Sequence, residues 1–153
     1  MSLPALARRL GHRLWFARVV QAIAPLDRLV GRLTKGRVVA LGLLPSMIIT
    51  TTGRRSGRPR SNPISYVRDG DGFIVIGSNF GMPNHPAWSL NLLAEPTARV
   101  MVGGRVIPVR ATVVTGPERE RVRAMLVAMW PAYQTYERRA APRNIRIFRL
   151  DPR

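Results

Sequence analysis

The chain has 153 residues, 46% of them hydrophobic, enough for one domain with its own core. It has no cysteine and only two histidines, His12 and His85, far apart in sequence, which excludes a disulfide framework and argues against a zinc or haem centre. The formal net charge is +17, with Lys35 the single lysine among 25 cationic residues, and such a field draws polyanions: nucleic acid, anionic lipid or a highly charged cofactor.

No run of about 18 apolar residues is present to span a bilayer. Arg8, Arg9, Arg13 and Arg18 interrupt what would be the apolar part of a signal peptide. Leu3, Leu6, Leu10, Leu14 and Ala17 recur at helical spacing and predict one amphipathic helix over 3–24, ended by Pro25. Leu26, Leu29, Val30 and Leu33 predict a second, short helix with Gly36 as its C-cap, and 36–46 reads as irregular. This divides the chain into a helical leader, 1–36, and a main domain, 37–153. Residues 47–51 read as a strand, and 61–68 alternate. The DGDG at 69–72 is a hairpin turn, 73–77 (FIVIG) a buried strand and 78–86 a loop. A short helix is expected over 86–95, with Pro86 in its first turn and Pro96 stopping it. Residues 97–102 and 105–115 form a hairpin across Gly103 and Gly104. A helix over 116–130 carries acids in its first turn and turns Val122, Met125, Leu126 and Met129 inward. Pro131 breaks it, a short helical piece carries Tyr133 and Tyr136, and 144–150 is a last alternating strand. Hairpin-length connections demand antiparallel pairing. The fold class is therefore α+β: a small antiparallel β-barrel of about six strands, helices packed outside.

The most informative segment is TTTGRRSGRPRSNP, residues 50–63. Arg54, Arg55, Arg58 and Arg60 fall within seven positions, among the turn residues Gly53, Gly57 and Pro59 and the hydroxyls of Thr50 to Thr52 and Ser56. A basic turn clamped between two strands supplies guanidinium forks and backbone N–H groups for a phosphorylated ligand.

This segment, followed by YVRDGDGFIVIGSN, HPAWSLNLLAEP and PAYQTY, resembles the deazaflavin-dependent nitroreductase family, small split β-barrel proteins that bind coenzyme F-420. The resemblance runs from about Met47 to the C-terminus. It implies that the phosphate and oligoglutamate tail of the cofactor lies on Arg54, Arg55, Ser56 and Arg60. It further implies that the deazaflavin lies along Ser61, Asn62, Pro63, Ile64 and Ser65, against Ile76, Gly77, Ser78 and Asn79, and beside Ala87, Trp88 and Asn91. Tyr133 and Tyr136, three apart on one helical face, are the expected catalytic phenols, Tyr133 also bordering the cofactor. Ser78, Trp130 and Tyr136 are the expected substrate contacts. Family members often have tyrosine at or just before the position of Ser65, an aromatic in place of Ser89, and a Gly-Gly pair in place of Phe80 and Gly81. These departures bear on the substrate side.

The resemblance implies an oxidoreductase in which reduced coenzyme F-420 gives a hydride to a quinone, enone or nitroaromatic acceptor. Three other readings stand beside it: a non-catalytic deazaflavin carrier, an FMN-binding barrel, and a basic nucleic-acid-binding protein. The last lacks a helix-turn-helix pattern, an RNP-like aromatic strand or zinc spacing, and no nucleic-acid partner is expected. The arginine-rich helix with Trp15 and Phe16 has three readings: lying on an anionic membrane surface through 3–24, packing on the barrel, or being disordered in solution. A cytoplasmic protein, peripheral on the inner face of the membrane under the first reading, is expected. Nothing in the sequence marks an oligomer interface.

Overall fold

The computed structural model describes residues 3–34 and 44–153. The expected cap at Gly36 and the irregular stretch from 36 to 43 lie outside the described residues. Two helices open the chain, α1 (Leu3–Leu10) and α2 (Leu14–Leu33). The strands are β1 (Ser46–Thr52), β2 (Pro59–Ser65), β3 (Val67–Asp69), β4 (Gly72–Ile76), β5 (Thr97–Val102), β6 (Arg105–Val113) and β7 (Ile147–Pro152). Helix α3 (Ala87–Ala94) precedes β5, and α4 (Gly116–Met129) and α5 (Ala132–Ala140) lie between β6 and β7.

All seven strands form one antiparallel sheet in the order β2-β1-β5-β6-β7-β4-β3. Strands β2 and β3 occupy opposite edges of that order, yet Tyr66 alone separates them in the chain. A single residue spans only about 3.5 Å, so the sheet must curl until its edges meet. Tyr66 sits at this seam: its N–H donates to the Pro45 carbonyl, and its ring meets Phe73 edge-on at 5.4 Å. The expected strand over 61–68 is thus two strands, which brings the number from about six to seven.

Strand alternation divides the core into two. Met47, Ile49, Phe73, Val75, Val100, Val109, Phe148 and Leu150 form one cluster with Trp88 and Leu92 of α3; drawn from strands all around the sheet, it fills the curl. Ile74, Ile76 and Ile147 point the other way and meet Val122, Leu126, Trp130, Tyr133 and Tyr136 of the α4–α5 pair.

The leader differs most from expectation. Its first helix breaks at Gly11, and α2 runs on through Pro25 instead of ending there. The indole of Trp130 sits where a Gly11 side chain would be, 2.3 Å from an ideal Cβ, so only glycine fits the break. Pro25 and Gln21 both face solvent, where water can take the carbonyl that proline leaves without an N–H partner. The break resets the helical phase. Ala7 and Ala17 are buried, whereas Leu6, Leu14, Leu26, Leu29 and Leu33, expected on inward stripes, are exposed. The last strand also starts three residues later than expected, at Ile147; just before it, the Arg146 carbonyl accepts from the Gly77 N–H at 2.9 Å.

Away from the pocket, Asp69 joins the sheet to α4. It accepts from Arg121 at 2.6 Å and from Arg149, and these two guanidinium groups hold its carboxyl at about 2, below the ordinary 3.8. With a folded pKa lower than the unfolded one, the stability from this pair is complete above about pH 4 and disappears as the pH falls through about 2. An Asp69→Asn chain should therefore lose less stability than the native chain between pH 4 and pH 2, measured by urea unfolding at each pH.

Candidate cofactor and substrate site

A cavity of about 270 Å³ opens where the edge strand β2 passes the end of β4. One wall is Pro63, Ile64 and Ser65 from β2; another is Ile76, Ser78, Asn79 and Phe80. Trp88 stands at the start of α3, buried against Phe148 with ring centroids 5.9 Å apart. Trp130, Tyr133 and Tyr136 come from the α4–α5 corner. Ten residues expected from sequence to border cofactor or substrate therefore do meet around one cavity. A mostly apolar slot with a few polar atoms is the usual character of a small-molecule site.

Other expected site residues lie elsewhere. Arg54, Arg55 and Ser56 are exposed in the β1–β2 turn, and Arg60 is exposed on β2 beside it. The turn is fixed by Gly53 N–H to the Arg58 carbonyl at 2.8 Å and Gly57 N–H to the Gly53 carbonyl at 2.7 Å. Ser61 shares a hydroxyl–hydroxyl bond with Thr50 at 2.9 Å, and Asn62, half-buried, pairs with Ile49. Ala87 is exposed. Asn91, expected to touch the cofactor, is buried and bonded within the protein: its Nδ2 donates to Thr51 Oγ1 at 3.0 Å, and its Oδ1 accepts from the Arg54 N–H at 3.1 Å. It anchors the arginine turn to α3. Gly77, expected to admit a planar ring, lies beside α3: an ideal Cβ there would be 3.4 Å from Ser89 Cβ and Oγ, ordinary packing contact. Ser89 is fully buried at that contact, which explains why an aromatic is absent from its position.

The two tyrosines separate in role. Tyr136 donates to the Gly11 carbonyl at 2.7 Å and accepts from Trp130 Nε1 at 3.3 Å, so its hydroxyl is committed to seating the leader. Tyr133 lines the cavity, and among the described residues no hydrogen bond engages its hydroxyl. Burial, then the neighbouring Tyr136, raise its pKa well above the usual phenol value, so it stays protonated at neutral pH. Of the two phenols expected to be catalytic, Tyr133 is the one whose hydroxyl has no protein partner among the described residues. His85 is held below its ordinary 6.5, first by burial and then by Arg146 and Arg143, and its Nδ1 faces Arg143 Nη1 at 3.3 Å.

Sequence reasoning missed the roof of the site. Phe16, Val20, Gln21, Ile23, Ala24 and Asp27, all from α2, line the cavity. The recurrence of Phe16, Val20, Ile23, Ala24 and Asp27 at three- and four-residue spacing was the available signal. The leader is docked through Arg8, which donates to the carbonyls of Ala128 and Met129 at 3.0 and 2.7 Å, and through His12, bonded to Thr135 Oγ1. Also missed was the strain in the turn facing the cavity. Asn79 and Phe80 have φ of 46° and 54°, left-handed values that cost a non-glycine residue about 1 kcal/mol or more. Gly81 at φ 74° leaves no room for a side chain, the Tyr136 carbonyl being 2.7 Å from an ideal Cβ.

A family model described as F420H(2)-dependent quinone reductase matches residues 27–152. An F420H(2)-dependent quinone reductase of Mycobacterium tuberculosis, Rv1261c, is 37% identical over 70 residues, 46% of this chain and 47% of that protein. The chain thus spans about half the length of this curated relative. A second relative from the same organism, Rv3178, is 31% identical over 88 residues, covering 58% of this chain and 68% of its own. Among solved structures, one titled as an F420-H2 dependent reductase, FDR-A, superposes with a TM-score of 0.64 at 33% identity, covering 70% of this chain and 94% of that one.

Proposed function

The chain belongs to the F420H(2)-dependent quinone reductase family, and from that premise we propose that it transfers hydride from reduced coenzyme F-420 to a quinone-like acceptor. The observation that carries this reading is the arrangement along β2. Arg60 stands at the arginine turn and Pro63 to Ser65 at the cavity, about 10 Å further along the same strand. One elongated ligand, a flat ring at one end and an anionic tail at the other, fits that layout. The donor set agrees: exposed guanidinium forks suit phosphodiester and carboxylate oxygens, and the apolar walls suit a deazaflavin. Four arginines exceed what one phosphate monoester needs, which disfavours FMN. Membership in a reductase family disfavours the carrier and nucleic-acid readings.

Arg54, Arg55, Ser56 and Arg60 would hold the tail, Asn91 keeping their turn in place through the Arg54 N–H. Pro63, Ser65, Ile76, Ser78, Asn79 and Trp88 would border the ring, while Phe16, Val20 and Ile23 keep water from it. The bound coenzyme supplies the hydride. Tyr133 would donate a hydrogen bond, and then a proton, to the acceptor oxygen. Tyr133→Phe should lower kcat roughly 100-fold at neutral pH, the lower end of the range for a general acid. It should leave the thermal midpoint nearly unchanged, since no protein partner of the hydroxyl is lost; single-turnover kinetics and a melting curve check both. The reading itself is tested by titrating the protein with coenzyme F-420 and with FMN while following cofactor fluorescence. Saturable deazaflavin binding, with oxidation of the reduced form on adding menadione, supports it; no deazaflavin binding refutes it.

The outer face of α2 favours a lipid-borne acceptor. Trp15, Val19, Leu26, Leu29 and Leu33 are exposed along that helix, with Arg9, Arg13 and Arg18 exposed nearby. Among the described residues no helix is long and apolar enough to cross a membrane, so this would be surface attachment. Flotation with vesicles containing anionic lipid should carry the native chain, and a Trp15→Ala/Leu29→Ala chain should stay behind. A nitroaromatic acceptor would use the same cavity and is distinguished from quinones by comparing kcat/KM.

A further inference from the structure

Resting on that reading of the cavity, we propose that Arg139 and Arg143 are positioning residues: they hold the strained 78–82 turn against the site, and Arg139 couples it to the leader. The turn carries Ser78, Asn79 and Phe80 into the cavity wall, two of them in left-handed backbone conformations. Such a conformation persists only where its surroundings over-determine it. Arg143 does this with one guanidinium. Its Nη2 donates to the carbonyls of Ser78 and Met82, each at 2.8 Å; its Nε donates to Met82 at 3.1 Å and its Nη1 to the Gly77 carbonyl at 3.2 Å. Both ends of the turn are therefore tied to one planar group. The fork geometry is what makes this possible, and an ammonium cannot reproduce it.

Arg139 acts from the last turn of α5. Its Nη1 donates to the Phe80 carbonyl at 2.8 Å, and its Nη2 donates to the His12 carbonyl, in the break between α1 and α2, at 2.7 Å. One side chain thus bridges the middle of the cavity-facing turn and the root of the helix that roofs the cavity. Neither arginine is among the cavity-lining residues, and among the described residues neither forms an ion pair. Apart from the contact of Arg143 Nη1 with His85 Nδ1, the hydrogen bonds of both guanidinium groups go to backbone carbonyls, which is the signature of a clamp on chain geometry.

The test compares Arg143→Lys and Arg139→Lys with the native chain. Hydrogen exchange is read first, without ligand. Exchange at the amides of 78–82 should rise tenfold or more in both variants. Exchange at 11–13 should rise in Arg139→Lys alone. With reduced coenzyme and menadione, kcat should fall about tenfold or more, while coenzyme affinity changes less than threefold and keeps its native salt dependence, because the arginine turn at 53–60 is untouched. Unchanged exchange at 78–82 in both variants overturns the clamp, and an equal response at 11–13 in both overturns the coupling. A parallel loss of affinity and kcat would also overturn the positioning role. If one variant fails to fold, the other carries the exchange test alone. Absence of coenzyme binding in the native chain would refute the proposed function, with the exchange results still deciding the clamp.

Discussion

Trp130→Ala is expected to lower stability by about 3–5 kcal/mol, the usual cost of emptying a large buried aromatic site. For a chain of this size that corresponds to a fall in the thermal midpoint of roughly 6–20 °C, measured by circular dichroism. Three contacts are lost together. The indole occupies the notch at Gly11, lies 6.5 Å from the Phe16 ring, and donates to the Tyr136 hydroxyl. Two of these belong to the leader, so limited proteolysis should cut within 3–34 far faster in the variant. Tyr136→Phe removes the bond to the buried Gly11 carbonyl and the acceptor of Trp130 Nε1–H, leaves the rings in place, and should cost about 1–3 kcal/mol. A Trp130→Ala chain as stable as the native one, with its leader still protected, would show that the leader is not seated on this residue.

Replacing Arg54, Arg55 and Arg60 together by alanine is expected to weaken coenzyme F-420 binding about 100-fold. Exposed ion pairs contribute up to about 1 kcal/mol each, and 1.4 kcal/mol is a factor of ten, so three guanidinium groups amount to about two orders of magnitude. The melting temperature should barely move, because these side chains are exposed and the only side-chain bond lost among the described residues is that from Arg60 to Ser56 Oγ at 3.5 Å. Raising the salt concentration should weaken native binding steeply and the variant's binding little. Asn91→Ala offers a contrast. It leaves every arginine in place but frees the turn from α3, so its affinity loss should come with a stability loss.

Much of the chain is legible in its residues alone. The short apolar run FIVIG, the glycine pair at 103–104 and the proline stops at 96 and 131 report local backbone chemistry, and each element they mark is present. The cavity residues on β2, at the end of β4 and on α5 are legible through motif order. The leader is not. Its leucine stripe assumes one unbroken helix, but the break at Gly11 is set by the indole of Trp130, far along the chain. The same distance effect hides the strut formed by Tyr136, since nothing near it in sequence announces a bond to the Gly11 carbonyl. Asn91 stands out in the sequence for a ligand, while its bonds to Thr51 and to the Arg54 N–H go unannounced, because an amide looks alike whether a ligand or a neighbouring segment approaches it.

By itself the sequence determined the class of the fold, the strand-clamped arginine turn, the cavity residues carried on regular elements, and the charge that would grip an anionic tail. These follow from periodicity, turn chemistry and side-chain type, which act over a few residues. Tertiary structure alone decided that Tyr66 closes a seven-stranded sheet, that α2 roofs the cavity, that Tyr133 and not Tyr136 keeps an available hydroxyl, and that an arginine of α5 and another in the loop after it contact a strained turn. Each of those depends on which distant segments meet, and packing contacts between segments far apart in sequence leave no periodic trace in either one.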